Sequence, residues 1–390
     1  MNKINLEKYI ENTWSELTVS TKEDNDTHLG LPNPFIAPSA HRVEDFVFKD
    51  QFYWDTFFTI VPLIGTERHD LAVGMVDNLL FLLEKLGYVP NSNNRVHLGR
   101  SQPPLLSSMV DLVYQHDKDR SWLERAYGLL KKEYYQVWVS TEQPHLRRVY
   151  DGLSRYYHDN GTHRGAEDES GWDYTTRFED ETLNYLPIDL NSLLYKMEMD
   201  LSKFAAEFGL DDEAKDWQEA ANNRKEIVNR LLWNEENGLF FDYNYIKRRQ
   251  SPVFSLAAYT TMFCGLAEEG QVSRLVENLS LFETEHGLAT TKKTDEAIVG
   301  KQWASPNGWA PLHYLVVEGL KKYGYKQEAR KIAEKWVKTV SNKYQQDGLV
   351  YEKYNVVEPS NLPTSAIYPD QYGFAWTNAV TLNFINEFST

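Results

Sequence analysis

The chain has 390 residues, with 41 Lys plus Arg against 57 Asp plus Glu and a formal net charge of −16. An acidic chain without a basic block excludes nucleic acid and anionic membrane surfaces as partners, and a single cysteine excludes an intramolecular disulfide framework. No stretch approaches the run of about 18 apolar residues that spans a bilayer, and Met1 to Trp14 lacks a charged region followed by an apolar run, so the expectation is a soluble, cytoplasmic monomer.

Residues 1–45 read as a short amphipathic helix around Leu6–Leu17 and an irregular arm with Gly30, Pro32, Pro34 and Pro38. One domain over 46–390 follows, since no Pro/Gly/Ser linker or charge run divides it. Within it, Phe52-Tyr53-Trp54-Asp55-Thr56-Phe57-Phe58 sets a carboxylate beside an indole; such an Asp55 either caps a structural element or holds sugar hydroxyls. From Asp70 to Leu86 apolar residues recur at helical spacing and Gly87 closes the helix. The loop from Gly87 to Pro104 carries Asn91, Arg95, Arg100 and Gln102, and amides offer both donors and acceptors, as hydroxyls do. Helices are predicted at Pro104–Gln115 and Ser121–Val139.

Glu169-Ser170-Gly171-Trp172-Asp173-Tyr174-Thr175-Thr176-Arg177 is the most informative stretch. Gly171 permits close backbone approach to a ligand, Trp172 offers a flat face to a pyranose, and desolvation beside it raises the pKa of Asp173. A carboxylic acid kept protonated near neutrality is what a glycosidic leaving oxygen needs. The alternative is a core Trp and an Asp that caps a helix.

Helices are predicted next at Asp189–Phe208, Asp211–Trp233, with Asp211 as N-cap, Ser255–Leu266, Gly270–Leu281, Trp309–Tyr323, Lys326–Tyr344 and Tyr372–Phe388. Leu239–Tyr243 and Leu349–Tyr354 read as short extended pieces after the turns Asn237-Gly238 and Asp347-Gly348. Gln302-Trp303 and Pro306-Asn307-Gly308-Trp309 form a rigid turn with two indoles. Glu352 is either a solvated charge or the partner carboxylate of Asp173. The ten His show no ligand spacing, and neither G-x-G-x-x-G nor a P-loop is present; no metal and no cofactor is expected.

Ten to twelve helices without a repeat period, joined by loops of unlike chemistry, predict an all-α closed ring, an (α/α)6 barrel of six hairpins with one pocket at the loop end. Taken in order, the motifs Tyr53-Trp54-Asp55, Arg100-Ser101-Gln102-Pro103-Pro104, Glu169-Ser170-Gly171-Trp172-Asp173, Ile188-Asp189-Leu190-Asn191, Gln302-Trp303, Pro306-Asn307-Gly308-Trp309 and Glu352-Lys353-Tyr354 resemble the trehalases of glycoside hydrolase family 37. The resemblance implies an (α/α)6 barrel and metal-free inverting hydrolysis of α,α-trehalose to two glucose molecules. It implies Asp173 as general acid and Glu352 as general base, roughly 6.5–9.5 Å apart to admit a water. Phe48, Trp54, Asp55, Asn91, Arg100, Gln102, Arg164, Gly171 and Trp303 would bind substrate. The chain departs from the family's pattern at three places. Glu44-Asp45-Phe46-Val47-Phe48 stands for Pro-Gly-Gly-Arg-Phe, Ile367 replaces a glutamate before Tyr-Pro, and residues 358–364 replace a glycine-rich lid. Two alternatives therefore stay open: an inverting glucosidase with another aglycone, such as glucosylglycerate, and a non-catalytic sugar-binding protein.

Overall fold

A computed structural model describes residues 3–39, 41, 43, 47–364 and 368–388; Glu44, Asp45, Phe46 and Ile367 lie outside them. Fourteen α-helices occur among the described residues: α1 Lys3–Leu17, α2 Tyr53–Ile60, α3 His69–Leu86, α4 Leu106–Asp117, α5 Arg120–Lys132, α6 Pro144–Arg147, α7 His163–Glu169, α8 Ile188–Glu207, α9 Asp211–Leu232, α10 Thr260–Cys264, α11 Glu269–Asn278, α12 Ala310–Lys322, α13 Lys326–Asp347 and α14 Ala375–Phe388.

Six of them close a ring. α2 packs on α4, α4 on α8, α8 on α10, α10 on α12, α12 on α14, and α14 back on α2. Burial follows this order: all eight residues of α2 and all five of α10 are buried, as an inner helix apolar all round requires. The outer layer is amphipathic. α9 buries only the stripe Trp217, Ala221, Arg224, Val228 and Leu232, spaced at three to four residues. α3, α5, α9 and α13 each back the inner helix that precedes them, and Tyr259 donates to the Leu275 carbonyl at 2.8 Å to hold α11 behind α10. α1 packs behind α14 through Leu6, Ile10, Trp14 and Leu17, all buried in the common core. The predicted (α/α)6 barrel is the observed fold.

The differences in detail have local causes. α2 was not expected, and the predicted helix 121–139 passes at Glu133 into a π-helical turn, Glu133–Trp138. Asp211 is the first helical residue of α9, with Leu210 at the N-cap position. Strands are two or three residues long. β1 Asn307–Trp309 pairs antiparallel with β2 Lys353–Asn355, and this ladder fixes Glu352 against the turn that carries Trp303 and Trp309.

Candidate active site

Phe48, Trp54, Asp55, Gln102, Gly171, Asp173, Trp303 and Glu352 line one cavity, joined by Phe52, Trp309, Tyr368, Phe374 and Trp376. α2, α12 and α14 all begin at this wall. The positive ends of their peptide dipoles therefore face the carboxylates that share the cavity.

The first turn of α2 places Trp54 and Asp55. Its N–H groups lack intrahelical partners, and the loop between α3 and α4 supplies them: Tyr53 N–H donates to the Asn91 carbonyl at 3.0 Å, and Trp54 N–H to Gln102 Oε1 at 3.0 Å. Gln102 is thus both cavity wall and helix cap. Asn91 is buried and seats α2 from behind; it does not line the cavity. Burial raises the Asp55 pKa well above the usual carboxylate value, and the charges of Glu352 and Asp173 add to the rise.

Asp173 is set by two left-handed residues. Gly171 has φ +72 and Tyr174 φ +61, a rare conformation for a bulky residue. A Cβ on Gly171 would stand 2.8 Å from Trp54 Cε2, so the glycine allows the acid loop to close on the indole. Gly171→Ala is expected to lower kcat/KM more than tenfold and to cost roughly 1–3 kcal/mol of stability from the strained φ. Steady-state kinetics and urea unfolding check this; wild-type values in both would sink the argument for close packing at Trp54.

Burial pushes the Asp173 pKa up to about 8. Asp168 adds to the rise, while the Arg164 and Arg100 guanidiniums oppose it. Those arginines stand behind the acid, outside the cavity lining. Arg164 pairs with Asp168 and with Glu167 Oε1 at 3.2 Å and lies over the Tyr174 ring at 3.5 Å. Arg100 NH1 stands 4.0 Å from Asp168 Oδ2.

Glu352 is 2% exposed. Lys353 Nζ contacts its Oε2 at 3.0 Å, and the Tyr368 hydroxyl donates to its Oε1 at 2.9 Å. Burial raises its pKa, against the lowering effect of Lys353 and Tyr368.

Trp172 does not serve as the sugar platform expected of it. Its indole is 1% exposed and carries the Arg177 guanidinium at 4.3 Å from the ring. Trp303 lines the cavity instead, stacked on Trp309 at 3.9 Å and 2° between planes. Arg177 is wholly buried and bonds Asp189 at 2.8 and 2.9 Å and Asp242 at 2.8 and 3.0 Å. Asp242 also caps α8 by accepting the Ile188 N–H at 2.9 Å.

Tyr368 escaped sequence reasoning because it sits alone in a loop. Lys353 stood inside a motif match, and Phe374 and Trp376 inside the predicted helix Tyr372–Phe388, without an assigned role. A buried lysine next to a carboxylate is the signal that points to Lys353.

Among the described residues one group has metal-ligand proximity, His69, His116 and Asp117, where α3 begins and α4 ends. Gly65 N–H donates to His69 Nδ1 at 3.2 Å, which leaves Nε2 as the donor toward Asp117 Oδ1 at 2.8 Å. That tautomer makes the group a hydrogen-bonded clasp, since a metal-binding His donates its other ring nitrogen.

A profile of the family described as Trehalase matches residues 2–170 and 160–389. The neutral trehalase of Saccharomyces cerevisiae is 27% identical with a TM-score of 0.80, over 90% of this chain and 73% of that one. Two further matches, below 25% identity, share the fold. A GH63 mannosylglycerate hydrolase from Thermus thermophilus, solved with glucose, is 16% identical with a TM-score of 0.72, over 98% and 100% of the two chains. A rhamnosidase from Klebsiella oxytoca is 15% identical with a TM-score of 0.64, over 100% and 64%.

Proposed function

The chain belongs to the trehalase family, and from that premise we propose that this glycoside hydrolase cleaves α,α-trehalose to two glucose molecules with inversion, Asp173 acting as general acid and Glu352 as general base. One observation carries the reading: of the three carboxyl groups that line a cavity walled by indoles, Asp173 and Glu352 stand in unlike environments. Asp173, with its pKa near 8, keeps its proton at neutral pH, while Lys353 and Tyr368 favour the anion of Glu352 against the rise that burial imposes. Environments that push two titratable groups apart assign the acid and the base.

In the reaction Asp173 gives its proton to the glycosidic oxygen as the C1–O bond breaks. Glu352 takes a proton from a water that attacks C1 from the opposite face. The Trp54 and Trp303 rings offer apolar faces to the sugar's C–H side, and the enclosed site strengthens the electrostatic stabilisation of an oxocarbenium-like transition state.

The pH profile follows with a definite sign. The acid must be protonated to act, so kcat/KM on trehalose is expected to fall tenfold per unit above about pH 8, as Asp173 ionises. A plateau to pH 10 would remove Asp173 from that role.

The deciding experiment is glucose release from trehalose, with kojibiose, maltose, sucrose and glucosylglycerate in parallel, and proton NMR of the first turnover. Inversion yields one α- and one β-glucose per trehalose; two α-glucose molecules would mean retention. Release from another glucoside alone would move the aglycone preference to Val47, Ile367 and the 358–364 loop. Release from none would favour a sugar-binding protein.

A further inference from the structure

Resting on the reading of Glu352 as the base, we infer that Lys353 and Tyr368 are its positioning residues, and that Asp370 sets how strongly Lys353 acts. The side chain of Lys353 is wholly buried, an expensive place for an ammonium unless it is paired. Its two carboxylate partners are Glu352 Oε2 at 3.0 Å and Asp370 Oδ1 at 3.1 Å. The ammonium also stands 5.5 Å from the ring centres of Trp309 and Tyr368, two walls of the cavity.

On the other oxygen, Gln302 Nε2 donates to the Tyr368 hydroxyl at 3.2 Å. The phenol proton is thereby directed onto Glu352 Oε1 at 2.9 Å. One amide, one phenol and one ammonium thus fix both oxygens of the base. The Glu352 backbone is anchored too: its carbonyl accepts from Trp376 Nε1 and Thr377 Oγ1, each at 3.2 Å, and its N–H donates to the Gln371 carbonyl at 3.0 Å. With backbone and carboxylate both held, water is delivered along one line, and proximity of this kind supplies much of a general base's effect.

The same arrangement sets the charge of the base. The groups that face Glu352 are Lys353 and Tyr368, which favour its anion, Asp370 behind Lys353, Asp55 from α2, and Asp173 across the cavity. Asp370 shares the ammonium and so weakens its hold on Glu352. Among the described residues that face Glu352, removal of Lys353 leaves three acidic neighbours and no cation; removal of the Asp370 charge leaves more of the ammonium's hold to Glu352.

The two changes therefore move the acidic limb of the kcat/KM profile in opposite directions. Lys353→Met is expected to raise the acidic midpoint by at least one pH unit and to lower kcat at pH 6 tenfold or more with KM near wild type. Lys353→Arg should restore the midpoint to within half a unit, and Asp370→Asn should lower it. Tyr368→Phe should lower kcat several-fold and raise the midpoint by less than Lys353→Met. If Lys353→Met does not fold, Asp370→Asn and Lys353→Arg carry the test. Acidic midpoints unchanged in Asp370→Asn, or in a folded Lys353→Met, would overturn the inference. Glu352→Gln, run alongside, separates the two readings: an active Glu352→Gln refutes Glu352 as base, whereas an inactive one with unmoved midpoints refutes only the role of Lys353.

Discussion

Asp173→Asn is expected to lower kcat on trehalose by about 10²–10⁴-fold, the usual contribution of a positioned general acid, with ligand affinity changed only a few-fold. The amide keeps the shape of the carboxylic acid, and at neutral pH the native group is itself uncharged, so the cavity loses a transferable proton and little else. The substrate dependence identifies the role. Glucose is a poor leaving group and needs the proton, whereas fluoride does not, so Asp173→Asn should turn over α-glucosyl fluoride far better than trehalose, relative to wild type. Glu352→Gln removes the group that activates water and should be about equally impaired on both substrates. Equal losses of Asp173→Asn on trehalose and on the fluoride would refute the acid assignment, and full activity on trehalose would remove Asp173 from the chemistry altogether.

The parts of this site that the sequence made legible are those where function dictates an unusual neighbourhood. Gly171 beside an indole and a carboxylate is such a neighbourhood, and Gly171 packs on Trp54 and presents Asp173. The amphipathic outer helices were legible too, because one buried stripe leaves a 3.6-residue period. α2 was not, since all eight of its residues are buried and an apolar run without polar alternation carries no period. The same limit hid the difference between Trp172 and Trp303. Composition marks both as indoles near a polar loop; only the packing of Arg177 over one and the cavity beside the other separates a core ring from a cavity wall. Nor does local sequence reveal that Glu352 meets Tyr368 across 16 residues, for no periodicity links an extended piece to an irregular loop.

Arg177 carries the second large effect, on stability. Its guanidinium bonds Asp189 and Asp242 together, all three side chains nearly or wholly out of water, and it stacks on Trp172, the residue before the acid. A surface pair contributes about 0–1 kcal/mol, but loss of one partner from a buried pair costs about 3–5 kcal/mol, because it strands the other charge. Arg177→Met fills much of the volume and leaves two carboxylates facing each other without a cation, so the upper part of that range is expected in urea unfolding at pH 7. The sign of the pH dependence is specific. Burial already raises Asp242 above its ordinary value with Arg177 present, and removal of the guanidinium raises it further. A carboxyl whose folded pKa lies above the unfolded one costs stability at pH values above the unfolded pKa, and the cost shrinks as pH falls through the folded pKa. The deficit of Arg177→Met should therefore narrow from pH 7 to pH 5. Arg177→Met with Asp242→Asn should recover part of it at pH 7, since one stranded charge is gone. A variant as stable as wild type, or a deficit that widens toward pH 5, would show that this ion triad does not hold the acid loop to α8.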